Sequence, residues 1–357
     1  MKVWDLHCDT LSELRRAEKN GTPASFAHND LHIDLEKLQA GDYMLQCLAA
    51  FVNLADPIPG ADPLVTALEE IDVFKRMMEQ YSDRIAPVYR PEDIRKNAEA
   101  GKISGMLTIE EAGCCKGSLG VLRRMYPTMK KYVNACRFWC GFGFGKHRYL
   151  WEMPGILGFG DWVAPDVPQM SQWQGRIKWT GTASLCNTSA LLAKIADILG
   201  ETQDAKHYRA LSEKTADAYC SILTDGNGKL LDEFQTAYVL PIYLNMFPTQ
   251  QIREKAAANL AALAKRNDWC IGTGFPGTPY ILFALCDNGQ VDAAYHMLLN
   301  TKCPSWLYEV KAGATTIWER WNSYTAKDGF GDVKMNSFNH YALGAIGSWM
   351  MEYQAGI

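Results

Sequence analysis

The hydrophobic periodicity changes near residue 125, and this change constrains the fold more than any other feature of the sequence. Up to that point buried strands alternate with helices. The predicted strands are "KVWDLHCD", "YMLQCLAAFVNL" and "GKISGMLTIEEAG", and helical segments such as "DPLVTALEEIDVFKRMMEQYS" separate them. After residue 126 amphipathic helices follow one another without strands. The sequence therefore predicts a mixed, mainly α protein with two parts, residues 1–125 and 126–357.

Each part predicts its own architecture. Strand and helix alternate three times in the first part, as at the start of an α/β (TIM-barrel-like) fold or a doubly wound sheet. In the second part, paired helices are joined by long loops rich in glycine and aromatic residues, such as "GILGFGDWVAPD" and "CIGTGFPG". That pattern predicts an α/α toroid.

The proline in "VLRRMYPTMKKYV" marks the boundary between the two patterns. Pro127 separates two apolar stripes, and a proline inside a helix removes a hydrogen-bond donor and clashes with the preceding turn. It also disfavours helical angles at Tyr126, whereas the first turn of a helix tolerates proline well. We therefore predict that one helix ends before Pro127 and that another begins there.

Composition excludes several classes of function. The 357 residues are 48% hydrophobic and 21% charged, which is typical of a globular protein. A net charge of -4 with dispersed basic residues predicts no nucleic-acid partner and no membrane partner. No apolar run approaches the ~18 residues of a spanning helix, and "MKVWDLHCDT" shows no leader, so we expect a cytoplasmic location. The 11 cysteines lack zinc-ribbon spacing and are predicted to be reduced thiols.

Candidate metal ligands lie at the ends of the first and third predicted strands. His7 and Asp9 are two positions apart, so both side chains point to one face of the strand. Glu110 and Glu111 end the third strand at the edge where barrel active sites are built. The pattern allows two interpretations, a metal site or a hydrogen-bonded pair.

Three segments resemble the membrane (renal) dipeptidase family of zinc peptidases over about the first 125 residues: "DLHCDTLSELRR", "HIDLEKLQAGDYMLQCLAAFV" and "GKISGMLTIEEAGCCKGSLGVLRRMY". The resemblance implies that His7 and Asp9 ligate one metal and that Glu111 bridges two. It also implies two histidines on later strands, but the later histidines lack that context: His147, His207, His296 and His340. Three strands are only part of a ~250-residue barrel, so we expect an incomplete site that binds zinc weakly.

In the second part, a carboxylate between two tryptophans indicates chemistry on a sugar. "TTIWERW" places Glu319 between Trp318 and Trp321. Aromatic faces stack on sugar rings, and a neighbouring carboxylate can act at the anomeric carbon. The alternative is a glutamate paired with Arg320 or Arg137 in a packed loop.

Six stretches between residues 126 and 357 form a longer pattern: "YPTMKKYV", "FGDWVAPD", "QTAYVLPIYLNMFP", "TGFPGTPYILFALCDNG", "PSWLYEVKAGATTIWERWNS" and "SFNHYALGAIGSWM". In these stretches, residues from about 126 to 357 closely resemble the six-hairpin catalytic domain of bacterial α-L-rhamnosidases. The resemblance implies inverting hydrolysis of terminal α-L-rhamnosides, with Glu319 as general base and His340 binding rhamnose hydroxyls. Trp162 matches an aromatic wall of the same subsite, with Asp161 beside it. No oxygen-rich loop for calcium is evident, so no cofactor is predicted for this part.

One component of that chemistry is missing from the pattern. Inversion needs a second carboxylic acid ~6.5–9.5 Å from the base, and the resemblance implies that it lies on a loop before "YPTMKK". The dipeptidase-like segment occupies that place, and about eight helices are predicted where six hairpins need twelve. We therefore expect a partial (α/α)6 toroid with impaired activity on rhamnose-containing carbohydrates. The alternatives are a truncated zinc dipeptidase and a non-catalytic or inert fusion. Uncovered apolar faces predict mutual burial, a homo-oligomer or poor solubility.

Overall fold

The chain divides into two compact units, Met1–Arg124 and Met125–Ile357. The computed structural model describes residues 2–22, 24–52, 62–110, 113, 117–140, 142–153, 158–332 and 335–356. No helix within these ranges is long and apolar enough to cross a membrane.

A parallel sheet forms the centre of the first unit. Its elements are β1 (Val3–Asp5), α1 (Thr10–Lys19), α2 (Leu35–Ala40), β2 (Tyr43–Phe51), α3 (Pro63–Gln80), β3 (Ile85–Pro87), α4 (Pro91–Glu99) and β4 (Ile103–Glu110). The strand order is β1-β2-β4-β3, and every pairing is parallel. The α/β pattern predicted for this part is confirmed, with β3 as an additional strand. Because β3 has only three residues, it leaves no readable periodicity in the sequence.

Strand β2 carries the core of the first unit. Residues 45–50 are buried, because β1 and β4 flank the strand and helices α1 and α3 pack against it. Helix α3 begins where the sequence predicts, with Pro63 in its first turn and the Asp62 carboxylate accepting a hydrogen bond from the backbone N–H of Leu64 at 2.9 Å. The core side chains come from both layers: Leu11, Leu14, Leu35, Leu38, Leu48, Val73, Phe74, Met77 and Ile85.

Helices dominate the second unit. They are α5 (Leu119–Cys140, which begins in the first unit), α6 (Met170–Gly175), α7 (Ile177–Leu199), α8 (Thr202–Leu223), α9 (Gln235–Tyr243), α10 (Gln250–Arg266), α11 (Ile281–Cys286), α12 (Val291–Leu298), α13 (Trp306–Lys311) and α14 (Ile346–Trp349). The mainly α prediction is confirmed. The prediction of no strand after residue 126 is wrong at one place, the antiparallel pair β5 (Tyr324–Thr325) and β6 (Gly329–Phe330). Two-residue strands are too short to show alternation.

Helix α5 runs without interruption through Pro127, so the predicted helix break at this residue is wrong. The Tyr126 hydroxyl donates to Asp204 Oδ2 at 2.7 Å, and Lys130 Nζ donates to the same oxygen at 2.6 Å. These bonds attach both sides of the proline to α8. A proline inside a helix costs about 3 kcal/mol, and tertiary contacts of this kind offset that cost. The division between the two compact units falls within this helix.

Candidate active site

A buried aspartate anchors the loop that carries Trp162. Asp161 is fully buried, and its Oδ1 accepts hydrogen bonds from Thr236 Oγ1 at 2.8 Å and from the backbone N–H of Gly274 at 3.0 Å. Oδ2 accepts from Arg176 Nη1 at 3.1 Å. Burial raises the pKa of Asp161 to about 6, although the Arg176 guanidinium opposes this effect. The sequence predicts Asp161 as a sugar contact, whereas the structure encloses its carboxylate among protein donors.

Arg176 connects this aspartate to a second carboxylate. Its guanidinium binds Asp166 through two hydrogen bonds of 2.7 and 2.8 Å, and its Cζ lies 4.1 Å from the centre of the Phe234 ring. A bidentate pair of this kind fixes orientation as well as adding stability. Sequence reasoning missed Arg176, because an isolated arginine in "QWQGRIKW" carries no sign that it is nearly enclosed.

Trp162 is a fixed and partly exposed ring. Its ring centre lies 4.9 Å from that of Phe159 and 5.4 Å from that of Trp173, both in edge contacts. Gly160 precedes it with a φ of 62°, and a Cβ there would lie 1.9 Å from the backbone oxygen of Trp173. Only glycine fits this position. The loop therefore presents Trp162 in one orientation, as an aromatic sugar platform requires.

The segments that carry Glu319 and His340 pair with each other. The backbone N–H of Glu319 donates to the Ser337 carbonyl at 2.9 Å, and Ser337 N–H donates to Glu319 Oε2 at 2.8 Å. The His340 N–H donates to the Ile317 carbonyl at 2.9 Å. This pairing places the predicted base and the predicted hydroxyl ligand on adjoining backbone. Within the described ranges, no ion pair joins Glu319 to an arginine, which disfavours the salt-bridge alternative.

The two tryptophans beside Glu319 are buried rather than exposed as a wall. Trp318 is 4% exposed, with its ring centre 5.3 Å from that of Phe338. Trp321 is 1% exposed, and its Nε1 donates to the Thr273 carbonyl at 3.2 Å. This geometry supports a packing role under the Glu319 segment instead of the predicted sugar contact.

Phe275 joins the site from another loop. Its ring centre lies 5.1 Å from that of His340, and its backbone N–H donates to the Trp162 carbonyl at 2.9 Å. Sequence reasoning missed Phe275, although it lies in the motif "TGFPGTP". An aromatic residue between glycines was the available signal, because such a ring cannot belong to a helix face.

A second buried carboxyl lies behind the Glu319 segment. Glu309 is 2% exposed, and its Oε2 accepts a hydrogen bond from the backbone N–H of Trp318 at 3.4 Å. Burial raises its pKa to about 7. It lines a cavity of about 530 Å³ whose other walls are mainly apolar, including Trp306, Ile317 and Ile346. In the sequence this residue looks like a surface position of an amphipathic helix.

A separate polar cluster lies in the first unit. His7, Asp9 and Glu110 each offer a ligand atom within 4.8 Å of the others. His7 Nε2 lies 3.3 Å from Asp9 Oδ1, and His7 Nδ1 lies 3.3 Å from Glu110 Oε2. Imidazole and carboxylate are ligand types that zinc accepts, but three donors are one fewer than a structural site uses. Glu111, the predicted bridging ligand, lies outside the described residues.

Comparison with known proteins gives two family matches. The model of the bacterial alpha-L-rhamnosidase six-hairpin glycosidase domain matches residues 77–354, which is most of the chain. The chain belongs to this rhamnosidase family. A model of membrane dipeptidase matches residues 1–135, so both models cover residues 77–135.

Individual rhamnosidases agree with the family match. The chain is 37% identical over 245 residues to an alpha-L-rhamnosidase of Formosa agariphila, covering 68% of this chain and 25% of that protein. It is 39% identical over 202 residues to an alpha-L-rhamnosidase of Streptomyces avermitilis, covering 56% of this chain and 18% of that protein. The Streptomyces avermitilis enzyme solved with L-rhamnose superimposes with a TM-score of 0.57 and 34% identity, over 68% of this chain and 22% of that one. The rhamnosidase of Aspergillus terreus superimposes with a TM-score of 0.58 and 32% identity, over 66% of this chain and 27% of that one. The chain thus spans about a quarter of the length of these relatives.

Proposed function

We propose that residues 125–357 form a glycoside hydrolase unit that cleaves terminal α-L-rhamnosides with inversion. The observation that carries the proposal is the pairing of residues 317–319 with residues 337–340, which joins Glu319 and His340 in a chain of the rhamnosidase family. A relative solved with L-rhamnose supports a rhamnose-containing substrate. No cofactor takes part in this proposal.

Glu319 acts as the general base. In an inverting hydrolysis the base takes a proton from the water that attacks the anomeric carbon. The hydrogen bond from Ser337 N–H to Oε2 fixes the direction of the carboxylate. Half-burial leaves the group open to water while the packed Trp318 beneath it holds the backbone.

His340 and Trp162 bind the sugar. The Nδ1 atom of His340 accepts a hydrogen bond from the backbone N–H of Ala342 at 3.3 Å, so the neutral ring carries its proton on Nε2. That N–H can donate to a rhamnose hydroxyl. Trp162 supplies the apolar face, on which the C–H side of the ring stacks.

Neither of the two aspartates near Trp162 is placed to act as the general acid. Asp161 is enclosed, and Asp166 is held by both arms of Arg176, so neither carboxyl is presented as a proton donor. General-acid assistance is typically worth 10²–10⁴-fold and matters most for a poor leaving group. The proposed activity is therefore impaired on natural rhamnosides and retained on activated ones.

Hydrolysis of 4-nitrophenyl α-L-rhamnoside compared with that of a rhamnose-containing disaccharide tests this proposal. We expect slow release of nitrophenol, scarcely any cleavage of the disaccharide, and a loss of about 100-fold or more in Glu319→Gln with rhamnose binding retained. Glu254→Gln, the same change at an exposed position of α10, is the matched control. Brisk disaccharide cleavage would refute the impairment, and full activity in Glu319→Gln would refute the base.

The His7, Asp9 and Glu110 cluster favours a second candidate, a zinc-dependent dipeptidase activity of the first unit. Zinc bound there would polarise a peptide carbonyl, with His7 and the two carboxylates as its ligands. With three donors we expect zinc binding that is weaker than at a structural site and absent in His7→Ala. Calorimetric zinc titration measures this, with His28→Ala as control for an exposed histidine. Zinc that survives desalting at one ion per chain would contradict weak binding.

A further inference from the structure

One buried carboxylate joins four separate segments of the second unit. Asp161 receives hydrogen bonds from Arg176 at the start of α7, from Thr236 in α9 and from Gly274 in the loop before α11. Asp161 itself lies on the loop that continues into Trp162. Its donors are 15, 75 and 113 positions away along the chain, so this bond set is tertiary rather than local.

The Trp162 loop and the Phe275 loop are in direct backbone contact at this point. Phe275 N–H donates to the Trp162 carbonyl, next to the bond from Gly274 N–H to Asp161. A Cβ on Gly274 would lie 2.2 Å from the Trp162 oxygen, so the approach requires glycine. Phe275 in turn packs against His340 at 5.1 Å between ring centres. A shift of Asp161 would therefore move Trp162 relative to the Phe275–His340 ring pair.

A carboxylate is the group that these donors require. Three donors converge on two oxygens, and one donor is a guanidinium, so the bonds are charge-assisted. An asparagine has one acceptor oxygen where aspartate has two. The substitution would leave a buried donor unpaired or would set an amide N–H against Arg176, and a buried unpaired donor is costly.

We propose that Asp161 is a positioning residue of the sugar site, which fixes Trp162 relative to the Phe275–His340 ring pair so that both sides of one rhamnose ring are contacted. This inference rests on the proposed function, because it takes the fixed positions of these rings to serve rhamnose binding. Asp161 does not touch the sugar. It acts through the two loops that do.

Fluorine NMR of protein labelled with 5-fluorotryptophan tests the inference, with the Trp162 signal assigned by its loss in Trp162→Phe. In Asp161→Asn we expect the Trp162 signal to move or broaden while that of buried Trp349 stays in place. Rhamnose affinity, titrated on the Trp162 signal, should fall about tenfold or more. Asp197→Asn is the matched control, because it removes the partner of Arg209 in an exposed ion pair and touches none of the Asp161 contacts; its affinity should change less than about threefold.

The possible results separate this inference from the proposed function. A folded Asp161→Asn with an unchanged Trp162 signal, or with unchanged rhamnose affinity, would overturn the inference. If that variant does not fold, Thr236→Val removes a single donor at nearly constant volume, and the same two readouts decide. If the wild type binds no rhamnose, the proposed function fails and with it the sugar-binding purpose, whereas the Trp162 signal still shows whether Asp161 orients that ring.

Discussion

Two buried glutamates, one in each unit, make the stability of the protein depend on pH. Glu70 and Glu309 are 1% and 2% exposed, and burial raises the pKa of each to about 7. A carboxyl group with a higher pKa in the folded state retains its proton there after the unfolded chain has lost it. The free energy of unfolding therefore falls as the pH rises from about 4.5 to 7, and this contribution is constant above that range.

Glu309→Gln removes the contribution of Glu309 to this dependence. Both side chains are neutral below pH 4.5, so the variant and the wild type should be closest in stability there. Between pH 4.5 and 7 the advantage of the variant should grow by up to about 3 kcal/mol, since one pH unit corresponds to about 1.4 kcal/mol. Urea unfolding of both proteins from pH 4.5 to pH 8 measures the difference. A constant difference across this range would contradict the assignment of the pKa shift to Glu309.

At the scale of elements, helix α5 shows that a proline need not end a helix. Pro127 has no N–H to donate to the carbonyl of Arg123, and its ring is exposed. The helix persists because Tyr126 and Lys130 are both bound to Asp204 of α8. Its stability at this point therefore comes from outside the helix.

Pro127→Ala should stabilise the protein. The substitution restores one backbone hydrogen bond in an exposed position, and we expect a gain of about 1–3 kcal/mol in the free energy of unfolding, reduced by the greater freedom of the unfolded chain. Pro91→Ala is the control, because Pro91 occupies the first turn of α4, where proline is favourable; its effect should be about 0.5 kcal/mol or less. Thermal and urea unfolding measure both variants. A loss of stability in Pro127→Ala would mean that the proline itself stabilises the helix at this position.

The same elements show what the sequence predicts and what it leaves out. The buried strand β2 and helix α3 are predicted from the sequence. A continuous apolar run indicates a buried strand, and an Asp-Pro pair before a periodic apolar pattern indicates the start of a helix. The catalytic role of Glu319 stays a prediction from its motif. The burial of Trp318, Trp321 and Asp161 is not, because tryptophan suits a sugar platform and a core equally, and the burial of a carboxylate depends on donors that are distant in sequence. Only the tertiary structure distinguishes these cases.

At the scale of the whole molecule, the protein surface carries an exposed cluster of aromatic side chains. Phe138, Trp139, Phe142 and Phe144 are 64%, 41%, 59% and 93% exposed, and the first three rings are in mutual contact. Contiguous exposed apolar surface of this kind usually marks an interface or promotes association.

We expect the cluster to bind an apolar dye and to cause association that depends on protein concentration. The double substitution Phe142→Ser and Phe144→Ser should lower the fluorescence of bound anilinonaphthalene sulfonate severalfold and shift the sedimentation profile toward monomer. Phe330→Ser, at a ring that is 73% exposed and outside the cluster, is the control. A wild type that remains monomeric at high concentration and binds no dye would contradict this expectation.

The bonds of Asp161 have a consequence for recombination among related enzymes. Its partners lie at residues 176, 236 and 274, so a crossover anywhere between residues 161 and 274 brings at least one of them from a different parent. Chimeras joined within this interval should lose function unless both parents share the whole bond set. A grafted sugar site would likewise have to carry Asp161, Arg176, Thr236 and Gly274 together with Trp162, because the supporting residues fix the binding geometry.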